Sequence, residues 1–382
     1  MKCKAWTMKN YLSSVEYPLK ILLVPNAFKG SLEAPEFCRI MVEELSSGYI
    51  APIALPMCDG GDGTAPILAS YLNFLPVNMA SVDALGRPKI VTYYTGSDMA
   101  IVDLASVCGL KDLLSSEYDV FNTHTAGLGK VLVQIQKQGI HRILLGVGGS
   151  ASIDGGLGAL VEMGLKIVKS NNQYQNHLLE LQDIDISILK ENFKNSELFI
   201  LCDVENRLCG KEGAAATFGP QKGASPLQVS KLDASLCHYA NLLLSKNGTD
   251  IFSLRYGGAA GGIAAAFYSL LGAQLVSGAE FCLKLSDFDR LLPEMNLVIT
   301  GEGKLDRQSL QGKLPGVIAK RCHQHRVPVI AIAGMADPLL PGFDQIYTLT
   351  EYAGNPKTSI QYPEPYLRRI AKDLKRDILK LI

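Results

Sequence analysis

The chain has 382 residues, 47% of them hydrophobic, and its 37 lysines and arginines balance its 37 aspartates and glutamates. That length suits two or three domains, each with its own core. The even charge balance gives no support for a nucleic-acid or anionic-membrane partner, so a small molecule is the expected ligand.

Residues 1–19 are polar and lack the apolar run of an export signal, so they are taken as an N-terminal extension. Short aliphatic runs then alternate with helical patterns: ILLV at 21–24, IAPIAL at 50–55, RILLGV at 142–147, ELFILC at 197–202, NLVIT at 296–300, VPVIAIA at 327–333 and QIYTL at 345–349. This alternation predicts an α/β protein with largely parallel sheets. Between the second and third runs, the period-two pattern from Leu75 to Ser106 and its Ala-Leu-Gly-Arg-Pro turn predict an antiparallel meander. The break in rhythm suggests two α/β domains. One is a Rossmann-like, doubly wound domain made from both chain ends, 20–75 and 290–382; the other is a mixed α/β domain inserted at 76–289. The uncharged stretch Tyr256–Ala279 is rich in Gly and Ala rather than Leu and Ile, and is expected to be a buried helix, not a membrane span. The closing segment PYLRRIAKDLKRDILKLI predicts an amphipathic helix covering a sheet.

Nine cysteines occur without a C-x-x-C pair or zinc-like spacing, which reads as reduced, cytoplasmic usage with most thiols filling cores. His323 and His325 form an H-x-H with no third ligand in sequence and are read as solvated. There is no G-x-x-x-x-G-K-[ST] and no G-x-S-x-G, and ILLV does not run into G-x-G-x-x-G. These absences exclude a P-loop enzyme, a serine hydrolase of that type and a standard dinucleotide oxidoreductase.

Glycine carries the functional signal. Its 36 copies cluster in DGGDGT (59–64), GVGGSASIDGGLG (146–158), YGGAAGG (256–262) and TGEGKLD (300–306). Each cluster follows a strand or opens a helix, where backbone N–H groups can hold phosphate oxygens. In the second cluster Gly148, Gly149, Ser150, Ser152, Gly155 and Gly156 are the candidate phosphate contacts, and Asp154 is its lone charge. Phosphoryl transfer also needs carboxylates for magnesium and for the acceptor's proton. Asp59, Asp62, Asp154, Asp203, Glu302 and Asp306 stand in or beside strand-end loops, although any one of them could simply cap a helix. Lys29, Lys222, Lys304 and Lys313 sit beside glycines as candidate phosphate cations, and Arg87 at a hairpin tip and Arg307 are candidates for a substrate carboxylate.

These residues, in this order, resemble the bacterial type I glycerate kinases. PNAFKGSL at 25–32 is similar to that family's P-D-S-F-K-G-S-L, PMCDGGDGT at 56–64 to P-M-A-D-G-G-E-G-T, and DALGRP at 83–88 to D-P-L-G-R-P. GVGGSASIDGGLG, CDVENRLCGKEGAAATFGPQKGA at 202–224 and TGEGKLDRQSLQGK at 300–313 follow family patterns as well. The resemblance implies ATP-dependent phosphorylation of glycerate with Mg2+, most simply to 2-phosphoglycerate, in a cleft between two domains. It also leaves room for 3-phosphoglycerate as product, another short hydroxy acid as substrate, a ligand-binding homologue without turnover, and a homo-oligomer. Under it Asp154 becomes the first candidate for base or metal organiser, Asp59 and Asp203 for magnesium, and Lys29 and Lys313 for phosphoryl charge. The chain departs from the family pattern at Asn26, Ala27, Asp62, Lys130 and Ile153.

Overall fold

In the computed structural model, which describes residues 18–307, 309–310, 312–338 and 340–378, every aliphatic run named above forms a strand. In chain order the strands are β1 (Leu19–Pro25), β2 (Ile50–Ala54), β3 (Leu75–Val82), β4 (Pro88–Gly96), β5 (Met99–Asp103), β6 (Arg142–Gly146), β7 (Lys166–Lys169), β8 (Leu181–Asp185), β9 (Glu197–Cys202), β10 (Gln274–Ser277), β11 (Leu297–Leu305), β12 (Val329–Ala336) and β13 (Gln345–Thr348). The chain divides into two compact units, with the cuts after Cys58 and after Phe281. Residues 1–17 of the expected N-terminal extension lie outside the described residues.

The unit built from the chain ends has one sheet in the order β13-β12-β11-β1-β2, parallel throughout. Ile21, Leu22, Leu23 and Val24 of β1 are fully buried, as expected of a central parallel strand covered on both faces. The helices Ala34–Leu45 and Pro363–Asp377 pack together beside the sheet. The latter buries Leu367, Ile370, Ala371 and Leu374, the i, i+3, i+4, i+7 stripe of an amphipathic cover. The strand order reverses between β1 and β11. In an open parallel sheet the ligand crevice lies outside the carboxyl ends of the strands at such a reversal. Here β1 runs into PNAFKGS, whereas TGEGKLD, expected to follow a strand, lies within β11 as far as Leu305 and leaves it only at Asp306.

The other unit carries a mixed six-stranded sheet, β10-β9-β6-β5-β4-β3. Its β10, β9, β6 and β5 are parallel neighbours, and β4 and β3 continue it as the antiparallel meander. A separate antiparallel ladder joins β7 and β8. The helix Thr64–Leu72 packs on β4, β5 and β6, so residues 59–75 belong here by contact rather than with the chain-end sheet. The uncharged stretch is not one helix. It contains Ile263–Leu271, ended by Gly272 at φ 66°, and then β10, because the left-handed cap turns the chain before Leu275 and Val276. Among the described residues no helix is long and apolar enough to cross a membrane.

Candidate active site

The loop after β6 is organised around Asp154, which is fully buried. Its Oδ2 accepts from Thr125 N at 2.8 Å, Thr125 Oγ1 at 2.7 Å and Gly158 N at 3.2 Å. Its Oδ1 accepts from Ser152 Oγ and Gly156 N, both at 3.1 Å. A carboxylate offers about four lone-pair sites, so these donors saturate it. All of these accepted bonds come from the protein itself, an arrangement suited to organising the loop. Gly156 opens the following helix at φ 74°, a conformation that a side chain would strain.

Lys222 reaches the same loop from the short turn Pro220–Lys222. Its buried Nζ donates to Ser150 Oγ at 2.8 Å and to the Ser152 carbonyl at 2.7 Å. Burial lowers its pKa to about 7, against the opposing pull of Asp154. Asn176, fully buried, donates to the carbonyls of Val120 and Ile153, both at 2.9 Å. Ile153 itself is core, so the departure at that position replaces a polar side chain of the family pattern with packing.

The DGGDGT loop meets this one backbone to backbone. Gly148 N donates to the Gly60 carbonyl at 2.8 Å. A β-carbon on Gly148 would lie 2.5 Å from Gly61 Cα and 3.3 Å from Asp203 Oδ2, so only glycine permits this approach. Asp59, Gly60, Gly61, Gly148 and Asp203 thus gather at the carboxyl ends of β6 and β9. Asp59 Oδ1 accepts from Gly61 N at 3.0 Å, and Asp62 pairs with Lys111 at 2.7 Å.

Asp103, which was not singled out in the sequence, lies behind this loop at the end of β5. Both its oxygens accept from Ala65 N at 2.9 Å, fastening the start of the helix Thr64–Leu72. Burial raises its pKa to about 7, with the Ala65 N–H opposing and Asp62 adding to the rise. Its only trace in the sequence is an acid closing the apolar run MAIVD.

Arg87 is already engaged. Its Nε donates to Asp83 Oδ2 at 2.6 Å and its Nη1 to Glu117 Oε1 at 2.7 Å, while Asp83 Oδ1 accepts from Leu85 N and Arg87 N. This is the geometry of a hairpin clamp, in which two protein carboxylates already compensate the guanidinium charge.

Lys29, Glu302, Asp306, Arg307 and Lys313 belong to the chain-end unit. Lys29 is exposed and Glu302 buried. The close approach of Gly303 to Lys29 N keeps the loops after β1 and along β11 together. Asn26 is buried, its N–H donating to the Gly301 carbonyl. Asp306 Oδ1 accepts from Ser309 N at 3.1 Å and its Oδ2 lies 3.4 Å from Lys304 Nζ. Burial acts to raise the Asp306 pKa, but Ser309, Lys304 and Lys313 outweigh it and hold the carboxyl below its usual range. Lys313 is the N-cap of the helix Leu314–His325, and Arg307 is exposed.

Glycine-rich, acid-bearing segments at the carboxyl ends of parallel strands are where α/β proteins commonly hold anionic small molecules. The chain belongs to the glycerate kinase family, whose model matches residues 21–379. It is similar to a glycerate kinase from Halalkalibacterium halodurans, with 35% identity over 82% of this chain and 85% of that one. It is also similar to a glycerate 2-kinase from Escherichia coli K12, with 33% identity over 83% and 85%. A crystal structure of a candidate glycerate kinase 2 from Salmonella typhimurium LT2 superposes with a TM-score of 0.75 at 32% identity, covering 95% of this chain and 99% of that one. The protein is therefore an enzyme of this family.

Proposed function

We propose that the enzyme transfers the γ-phosphoryl group of ATP to glycerate and forms 2-phosphoglycerate. Family membership supports the reaction class, and the resemblance to a relative named glycerate 2-kinase favours the C2 product. The observation that carries the reading is the meeting of Gly60–Gly61, Gly148 and Asp203 at the carboxyl ends of β6 and β9. It brings bare backbone and carboxylate to one place, as phosphate binding with a metal requires.

Among the described residues no three His, Cys, Asp or Glu side chains converge as a metal cluster. Magnesium on a nucleotide keeps several waters and takes only one or two protein carboxylates, a demand that Asp59 and Asp203 fit. When bound, the ion supplies positive charge to the phosphoryl oxygens. Asp59 or Asp203 takes the proton of the attacking hydroxyl, since both oxygens of Asp154 are filled. Asp154, Thr125, Ser152 and Lys222 hold the loop that presents Gly148, Gly149 and Ser150. Lys29 and Lys313 neutralise phosphoryl charge, Glu302 and Asp306 order the loops that carry them, and Arg307 holds the glycerate carboxylate in preference to the engaged Arg87.

A coupled assay for ADP release over a panel of short hydroxy acids, with and without magnesium, tests the reaction. Release with glycerate that depends on magnesium is expected; release with another acid alone moves the substrate, and release with none overturns the reading. Phosphorus NMR of the product separates the C2 from the C3 ester.

A further inference from the structure

Eight cysteines lie among the described residues, and six of them are buried; the two that reach solvent, Cys209 and Cys237, are neighbours. Three contacts fix this proximity. Gly210 N donates to Asp233 Oδ1 at 2.8 Å, one helical turn before Cys237 on the helix Pro226–Asn247. Leu208 and Leu236 flank the same glycine, since a β-carbon at Gly262 would lie 2.9 Å from Leu208 Cδ1 and 3.2 Å from Leu236 Cδ2. The Cys237 side chain also acts to raise the pKa of the Cys209 thiol. The pairs 208 with 236 and 210 with 233 lay the loop that carries Cys209 on the stretch of helix that carries Cys237.

We propose that Cys209 and Cys237 form a reversible disulfide that tethers the loop following β9 to the helix Pro226–Asn247. With oxidised glutathione as oxidant, the Cys237 thiolate attacks one sulfur and releases a glutathione thiolate. The Cys209 thiolate then attacks the Cys237 sulfur and releases the second. Two electrons pass to the glutathione disulfide, and the two thiol protons leave with the released glutathiones or to solvent. Burial, followed by Cys237 and the Asp233 carboxylate, holds Cys209 in the thiol form, so its attack on the mixed disulfide is slow. The buried thiols of Cys38, Cys108, Cys202 and Cys322 are pushed up in pKa by desolvation and stay reduced. The tether closes six residues beyond Asp203 and encloses Lys222, so oxidation lowers turnover. That consequence rests on the proposed placement of Asp203 and Lys222; the disulfide does not.

The full chain is incubated with oxidised glutathione and then mapped by mass spectrometry without reduction. The expected product has lost about 2 Da, with a peptide joining Cys209 to Cys237 that dithiothreitol dissolves. Cys237→Ser abolishes the joined peptide. Turnover with ATP and glycerate is expected to fall by about threefold on oxidation, to return on reduction, and to be unaffected by oxidation in Cys237→Ser. Wild-type protein that keeps both thiols free, or holds a separate glutathione adduct on each, overturns the pair. A joined peptide with unchanged turnover overturns the effect on catalysis, and a joined peptide in a protein with no glycerate-dependent ADP release points to failure of the kinase reading instead.

Discussion

GVGGSASIDGGLG, which follows β6, and TGEGKLD, which forms the carboxyl end of β11, both set carboxylate among glycines, yet they use the carboxylate differently. In the first, Asp154 is fully buried, and five donors, together with Lys222 on the neighbouring serines, leave a finished internal network. In the second, Asp306 stays near the surface and balances Lys304 and Lys313, while Lys304 is largely exposed. The first segment spends its charge on its own shape; the second leaves its charge paired near the surface. A glycine-rich loop with an acid in it is therefore an ambiguous sign until the burial of that acid is known.

The sharpest way to break this contrast is Asp154→Asn. The amide presents a donor where Thr125 N, Thr125 Oγ1 and Gly158 N, or Ser152 Oγ and Gly156 N, now donate. The expected result is a loss of about 3–5 kcal/mol of stability together with turnover. Thermal unfolding beside the kinase assay checks it. A variant that loses turnover while melting like wild type would restore the base role.

Gly148→Ala probes the meeting of the two loops. Its methyl would overlap Gly61 Cα, so either the DGGDGT loop or the Gly148 backbone must shift. The expected cost is about 1–3 kcal/mol in stability, with turnover falling by about a hundredfold through misplacement. Steady-state kinetics with unchanged kcat would remove Gly148 from the site.

The next effect depends on pH and comes from the two buried titrating groups of the central unit. Asp103 holds its proton to about pH 7 in the fold but loses it near 4 when unfolded. Its contribution is thus present at acid pH and lost as pH rises through that window. Lys222 loses its proton above about pH 7 in the fold, whereas the unfolded chain keeps it to about 10. Its contribution rises over that second window. Each slope is at most about 1.4 kcal/mol per pH unit, so together the groups produce a stability minimum near neutrality. Denaturant unfolding across pH should show Asp103→Asn flattening the acid limb and Lys222→Met the alkaline one. Lys222→Met should also cost turnover, since Ser150 and the Ser152 carbonyl lose their donor.

The strands that were legible in the sequence are those buried on both faces: ILLV, RILLGV and ELFILC read as unbroken apolar runs because the sheet is parallel and covered. Short, half-exposed β7, β8 and β10 carry no such run, and β10 was hidden inside a stretch read as helix. At the candidate site, spacing and glycine pointed to the loops, but not to the burial of Asp154 or the prior engagement of Arg87, which arise from contacts with Thr125 and Glu117 far along the chain. Asp103 had no local signal at all, because its work is done on a helix start 38 residues away.

The smallest expected effect sharpens the contrast from its other side. Arg87 was chosen in sequence as a carboxylate fork, yet its partners are Asp83 and Glu117, with the guanidinium half exposed. Ion pairs in that setting are screened by solvent and contribute little. Arg87→Gln should therefore lower the melting temperature only slightly and leave the KM for glycerate within about twofold, with kcat unchanged. Arg307→Gln, by comparison, should raise the KM for glycerate by at least about tenfold, because a charged fork lost from a ligand carboxylate is not replaced by another protein group. If the two variants exchange these outcomes, the hairpin clamp opens in the enzyme's working state, and the carboxylate site belongs to the central unit and not to TGEGKLD and its flank.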